Sequence, residues 1–212
     1  MDKFTRLSAV ACPIEIANLN TDQLVPARFL KRPRAAGFGE ALLHDLRFDP
    51  DKRERPEFPL NRPTWRNAGI IVGARNFGCG SSREGAVYAL YDFGIRCVIA
   101  PSFGDIFSAN AAQNGLLTAT VTDAVASEIM ASLNNAPQLP LTVDLEQQTI
   151  VCGNRSYPFD IDPVRRQRLL NGWDDIALTE SFRSRIAEFK SSDQQRRPWA
   201  RAGARRIKNQ SC

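Results

Sequence analysis

The chain is poor in the side chains that bind metals and build nucleophilic triads. His44 is the single histidine of 212 residues, and the five cysteines, Cys12, Cys79, Cys97, Cys152 and Cys212, include no C-x-x-C pair. Neither a structural zinc site nor a disulfide framework is suggested. Ser-His-Asp or Cys-His chemistry would have to recruit that one imidazole from a charged segment, where a lone histidine is ordinarily solvated. No stretch approaches the ~18 apolar residues of a membrane span, and Met1-Asp2-Lys3-Phe4-Thr5 lacks a basic-then-apolar secretory pattern. The expectation is a cytoplasmic protein with no membrane contact. A basic stripe is also missing: the formal charge of +5 is carried by residues 191–212, where Arg196, Arg197, Arg201, Arg205, Arg206 and Lys208 face only Asp193. The body of the chain is neutral, so nucleic acid is not the expected partner. Nucleotide fingerprints are absent too, because G-x-G-x-x-G would need glycine or alanine at Arg83 and a P-loop would need Lys-Ser/Thr where Ala86-Val87 stand.

What the sequence does have is the run Gly78-Cys79-Gly80-Ser81-Ser82-Arg83-Glu84, between an apolar stretch at 69–74 and a helix-like stretch from Glu84 to Phe93. Glycines at 78 and 80 permit φ > 0 and close approach to a ligand, and a helix beginning just after them aims unpaired N–H groups and a positive dipole end at it. Arg83 adds a planar fork for a carboxylate, and Ser81 and Ser82 add hydroxyls. The pattern fits an organic acid. Ser81-x-x-Glu84 equally matches a capping box, in which the two side chains merely satisfy each other's backbone donors.

A strand is expected over residues 8–16, followed by a polar turn, Asn18 to Gln23, that contains Asp22. From Arg28 to Arg66 the text is dense in arginine, proline and acidic residues and reads as a long loop with one short helix, a kind of segment that tends to be functional. Strands at 70–74, 96–100 and 116–121 alternate with helices at 84–93 and 105–114, which implies right-handed parallel crossovers. A third helix at 123–133 and a hairpin of 141–145 with 149–152 turn the sheet antiparallel. Asp162 as N-cap, Pro163 at the first helical position and Gly172 beyond Leu170 delimit a further helix. Leu178, Phe182, Ile186 and Phe189 repeat at helical spacing on a last one, as core packing or subunit contact. A domain over 1–190 and a flexible basic tail over 191–212 are the expected organisation.

Several ordered blocks carry a family likeness: Asn18-Leu19-Asn20-Thr21-Asp22-Gln23-Leu24-Val25-Pro26-Ala27-Arg28-Phe29-Leu30, Arg75 to Glu84, Val98 to Phe107, Asn114-Gly115-Leu116-Leu117, Phe159 to Pro163 and Leu169 to Ile176. Together they resemble the small subunits of bacterial 3-isopropylmalate dehydratase, in the aconitase superfamily, from about residue 4 to 190. The resemblance implies an α/β fold, a swivelling β/β/α domain with mixed parallel and antiparallel strands and flanking helices. It further implies a large-subunit partner, in a heterodimer or heterotetramer, that holds a [4Fe–4S] cluster on its own cysteines, with no cofactor or metal bound by this chain. The implied reaction is a hydro-lyase interconversion of 2- and 3-isopropylmalate through isopropylmaleate, in leucine biosynthesis.

Position by position, the likeness gives Ser81 the role of base and Asp22 that of an acidic residue supporting the proton network. It gives Ser82 and Arg83, with Gly80 and Arg28, to binding of a small dicarboxylic hydroxy acid, and the excursion after Asp22 to the neighbourhood of the substrate's side chain. Two positions depart from the family pattern: Gly85 stands where histidine is usual, and Asn20 where aspartate is common. The alternatives left open are a related hydro-lyase acting on dimethylmaleate or citraconate, and a non-catalytic swivelling domain that binds a partner or RNA through Arg196 to Lys208.

Overall fold

The protein is described by a computed structural model that covers residues 1–34, 37–81 and 83–200. Its contacts divide the chain into two units, Met1–Trp173 and Asp174–Cys212.

The first unit is built on a seven-stranded sheet. Its strands are β1 (Arg6–Ile14), β2 (Ile70–Gly73), β3 (Cys97–Ala100), β4 (Leu117–Thr120), β5 (Pro140–Asp144), β6 (Thr149–Cys152) and β7 (Arg155–Pro158), in the spatial order β4-β3-β2-β1-β5-β6-β7. β1 to β4 run parallel; β5 to β7 form an antiparallel meander, whose first hairpin, β5 with β6, the sequence pattern indicated. β1 joins the two halves by changing partners along its length. Ala11–Ile14 pair with Ile70–Gly73, whereas Arg6–Val10 pair with Asp144–Pro140.

The short parallel strands are apolar on both faces, as strands covered on two sides must be. Their period of two divides the core cleanly. Cys12, Ile14, Ile71, Val98 and Ala100 face one hydrophobic cluster; Ala11, Ile70, Val72, Cys97, Ile99, Leu117 and Ala119 face the other. The first cluster is closed by α3 (Glu84–Phe93) and α4 (Asp105–Gln113), the second by α5 (Asp123–Asn135), by β5 to β7 and by Leu169 of α6 (Pro163–Asn171). Asp162 caps α6 through the N–H groups of Val164 and Arg165, Pro163 opens it, and Gly172 ends it at φ 68°, all at the positions read from sequence. The meander's last strand, β7, leaves Arg155, Ser156 and Pro158 exposed and buries only Tyr157, so no apolar alternation announced it.

The segment expected to be a long loop with one short helix follows α1 (Thr21–Leu24) and holds such a helix, α2 (His44–Arg47), among several 3-10 turns. It is also a layer of the first core, with Leu42, Leu43 and Leu60 fully buried and Phe38 and Trp65 nearly so. Arg47 and Asn61 knit it together. The Arg47 Nε donates to Asn61 Oδ1 at 3.1 Å, and the Asn61 amide donates to the carbonyls of Arg47 and Arg55 at 2.6 and 2.9 Å.

The second unit contains α7 (Asp175–Glu180) and α8 (Arg183–Arg196). Neither helix has a buried residue, and Ile176, Phe182 and Phe189 are largely exposed. Of the two expectations for the stripe, core packing and subunit contact, the first is not met within this chain. The expected start of the tail at 191 falls inside α8, and the remaining basic positions, Arg201, Arg205, Arg206 and Lys208, lie outside the described residues.

Candidate active site

Three loops meet beyond the carboxyl ends of the parallel strands, the place where open α/β sheets hold their ligands. The loop after β1 is ended by α1, whose N-cap Asn20 forms a full capping box with Gln23. Behind β2 comes the glycine turn, and behind β3 the loop Pro101–Gly104.

Backbone hydrogen bonds lace these loops into a continuation of the sheet. Asn18 N–H donates to Arg75 O (3.0 Å), Gly78 N–H to Leu19 O (2.7 Å) and Thr21 N–H to Cys79 O (2.9 Å). On the other side Phe77 N–H donates to Ser102 O (3.0 Å) and Gly104 N–H to Phe77 O (2.9 Å). Phe77, completely buried, anchors the turn in the core. Gly78 and Gly80 take φ of 71° and 94°. At Gly78 a Cβ would also lie 2.3 Å from the Phe107 ring, and at Gly104 it would lie 2.5 Å from Gly78 O, so the turn and the start of α4 touch through bare backbone.

The result is a recess of about 220 Å³ lined by Gly78, Gly80 and Ser81 from the turn and by Gly104 to Phe107 from the start of α4. Ser81 is exposed in it. Its carbonyl accepts a 2.8 Å hydrogen bond from Thr21 Oγ1, and Thr21 is buried. Helix α3 has Arg83 as N-cap without a side-chain cap, and α4 has Gly104, whereas α1, α5 and α6 are all capped by side-chain oxygens. The capping box read for Ser81 and Glu84 is thus not formed: the helix begins one residue beyond Arg83, and Glu84 accepts instead from the Asn114 amide at 3.1 Å. Two helix starts beside one serine leave orphan N–H groups and two positive dipole ends for an anion.

Arg83 Nε stands 2.9 Å from Asp22 Oδ1. The contact is an ion pair rather than a hydrogen bond, because the buried Nε–H is not aligned on the oxygen. Asp22 and Arg83 are thereby brought together beside Ser81, with Gly80 shaping the turn. Ser82 lies outside the described residues. Arg28 is placed elsewhere: it lines a wider cavity of about 930 Å³ with Phe29, Arg32, His44, Asp45 and Arg47. Its guanidinium grips Asp45 with both η nitrogens, at 2.9 Å for Nη1 to Oδ2, and Nη2 lies 3.1 Å from His44 Nδ1. Those bonds, with a smaller contribution from His44, hold the Asp45 carboxyl down to about 2.

Thr21 was not marked by the sequence reading. The signal available was the Asn20-x-x-Gln23 capping box, which fixes where Thr21 starts its helix but not that its hydroxyl reaches a residue 60 positions away. Among the described residues no three His, Cys, Asp or Glu side chains come together as a metal site. Cys12, Cys97 and Cys152 are buried, and burial pushes their thiols up, away from the thiolate a metal requires. Cys79 is partly exposed and donates to Asn18 O at 3.4 Å.

Comparison with known proteins shows the family and the fold. The family model of the aconitase C-terminal domain matches residues 1–124, and the LeuD_N model matches residues 127–163. A 3-isopropylmalate dehydratase small subunit from Rhodospirillum centenum is 48% identical over 94% of this chain and 99% of its own length. One from Paracoccus denitrificans is 44% identical over 94% and 100%. Among solved structures, the 3-isopropylmalate dehydratase (leuD) crystal structure from Methanocaldococcus jannaschii superposes with a TM-score of 0.63 at 23% identity, covering 87% of this chain and 99% of that one, a likeness of fold.

Proposed function

Since the chain belongs to the family of 3-isopropylmalate dehydratase small subunits, with the mixed-sheet fold of the aconitase superfamily, we propose that it is the small subunit of a cytoplasmic hydro-lyase that interconverts 2- and 3-isopropylmalate through isopropylmaleate in leucine biosynthesis. The observation that carries the reading is the exposed Ser81 between two uncapped helix starts, with the Arg83–Asp22 pair beside it.

Dehydration breaks a C–H bond next to a carboxylate and the C–O bond on the neighbouring carbon. The C–H electron pair becomes the double bond, and the proton and hydroxyl leave as water. Ser81 Oγ is assigned to receive the proton. A serine hydroxyl is a weak base, and its alkoxide is favoured only where cations and backbone donors surround it, as the Gly78–Ser81 turn, the starts of α3 and α4 and Arg83 do. The Arg83 fork is assigned to a substrate carboxylate, with Asp22 holding the guanidinium in place until substrate arrives. Ser82 is proposed as a further carboxylate contact. Arg28, fixed on Asp45 in the neighbouring cavity, is proposed to reach the more distant part of the substrate. Among the described residues no cysteines gather to hold the [4Fe–4S] cluster that the family resemblance implies. It is assigned to the large subunit, and nothing on this chain is assigned to the departing hydroxyl. Residues 1–190 are taken as the working domain, 191–212 as a basic extension.

The test is hydration of isopropylmaleate by the chain reconstituted anaerobically with its large subunit, with dimethylmaleate and citraconate as comparators. The expected result is preference for isopropylmaleate and, in Ser81→Ala, a loss of kcat of about 10²-fold or more with unchanged folding. Preference for a smaller diacid would replace the substrate, and activity on none would replace the enzyme by a binding domain.

A further inference from the structure

Among the described residues, five other than glycine take left-handed backbone angles, and two of these five are bonded to each other behind the Ser81 turn. Asn18, in the loop after β1, has φ of 55°, and Asn76, in the loop after β2, has φ of 59°. Asparagine visits this region more readily than most side chains, but the conformation still has to be held by its surroundings. Here it is held from three sides. Asn76 Nδ2 donates to Asn18 Oδ1 at 2.8 Å, and Asn76 N–H donates to Ser102 Oγ, in the loop after β3, also at 2.8 Å. Asn18 N–H donates to Arg75 O at 3.0 Å, and Asn18 O accepts from Cys79 Sγ at 3.4 Å. The two asparagines therefore join all three loops of the site.

The bond between their side chains is exposed, so water competes for both amides and the bond adds little to folding. A left-handed angle alone would be served as well by glycine, and it requires neither side chain to reach the other. What the bond does fix is a distance. Asn18 shortly precedes Asp22 and Asn76 shortly precedes Ser81 and Arg83, so the two amides tie together the chains that carry the two halves of the site. Resting on the function proposed above, we infer that Asn18 and Asn76 are a pair of positioning residues, whose side-chain bond clasps the loop leading into Asp22 to the turn ending in Ser81 and so sets the base in register with the Arg83–Asp22 pair. Either amide can donate to the other, so the clasp tolerates one carboxylate in the pair and not two.

The experiment compares wild type with Asn18→Gly, Asn76→Gly, the double glycine variant, Asn76→Asp and the double aspartate variant, each reconstituted with the large subunit, on isopropylmaleate. Glycine keeps the left-handed backbone and removes the clasp. Either glycine variant is expected to lower kcat about tenfold, the scale of a slightly misplaced reacting group, with KM and melting temperature nearly unchanged, and the double glycine variant to be no worse than either single one. Asn76→Asp is expected to recover most of that loss, because the Asn18 amide turns to donate, and the double aspartate variant to lose it again. Full kcat in both glycine variants, additive losses, or equal activity of the single and double aspartate variants would overturn the inference. A readout free of substrate is alkylation of Cys79 by iodoacetamide in the full chain, followed by mass spectrometry. Asn76→Gly removes no bond of Cys79 itself, so faster alkylation supports an opened clasp and an unchanged rate refutes it. A wild-type complex that hydrates citraconate but not isopropylmaleate would overturn the substrate assignment instead, and the clasp is then judged by the alkylation rate.

Discussion

Thr21 ties two distant parts of the chain with two bonds, its N–H to Cys79 O and its hydroxyl to Ser81 O. Being buried, its hydroxyl has no water to fall back on. Thr21→Val keeps the shape and removes the donor, and is expected to cost about 1 kcal/mol in a denaturant melt. Because the freed carbonyl belongs to the proposed base, kcat is expected to fall by ~10-fold or more, as small misplacements of a reacting group do, with KM little changed. An unchanged kcat would show that Ser81 is positioned without Thr21. The residues legible from sequence were those whose chemistry is local: glycines that need positive φ, a serine just after them, an arginine at the helix start. Thr21 was not legible because its partner is distant in sequence, and the rival capping box for Ser81 could be dismissed only once α3 was seen to start at Glu84.

Among the elements, α4 approaches the glycine turn most closely, with Gly104 against Gly78 O. That neighbour is backbone and cannot swing aside. Gly104→Ala is expected to destabilise by about 1–3 kcal/mol and to reduce activity with it, whereas alanine at the exposed Gly153, where nothing lies closer than 3.9 Å, meets only its own positive φ of 58°. Comparing the two variants by thermal melt and by activity separates contact from conformation; equal activities would remove the turn's role. The elements around this junction were readable because apolar runs, caps and stops coincide at β2, α3, β3, α4, β4 and α5. The burial of the segment between Arg28 and Arg66 was not legible because its buried residues follow neither a period of 2 nor one of 3.6; burial there is decided by α3 and β1, not by neighbours in sequence.

At the scale of the molecule, the unit ending at Trp173 holds both hydrophobic clusters. Removing residues 174–212 is therefore expected to change its stability by less than about 0.5 kcal/mol, the range for surface changes, as measured by denaturant unfolding. A larger loss would mean that α7 and α8 support the core. Neither this division nor the partner switch along β1 is written in any motif, since both depend on which strands find one another. The switch also sets a schedule. The first partner of β1, Ile70–Gly73, follows after the whole Arg28–Arg66 segment, and its second, Pro140–Asp144, only after the three parallel units. During synthesis the first strand made is thus among the last to be fully paired, and non-local pairing of this kind is slow. Until residue 144 has emerged, Arg6–Val10 has no strand partner and presents an open edge. On a ribosome, the fate of nascent chains would be decided by how long that edge waits.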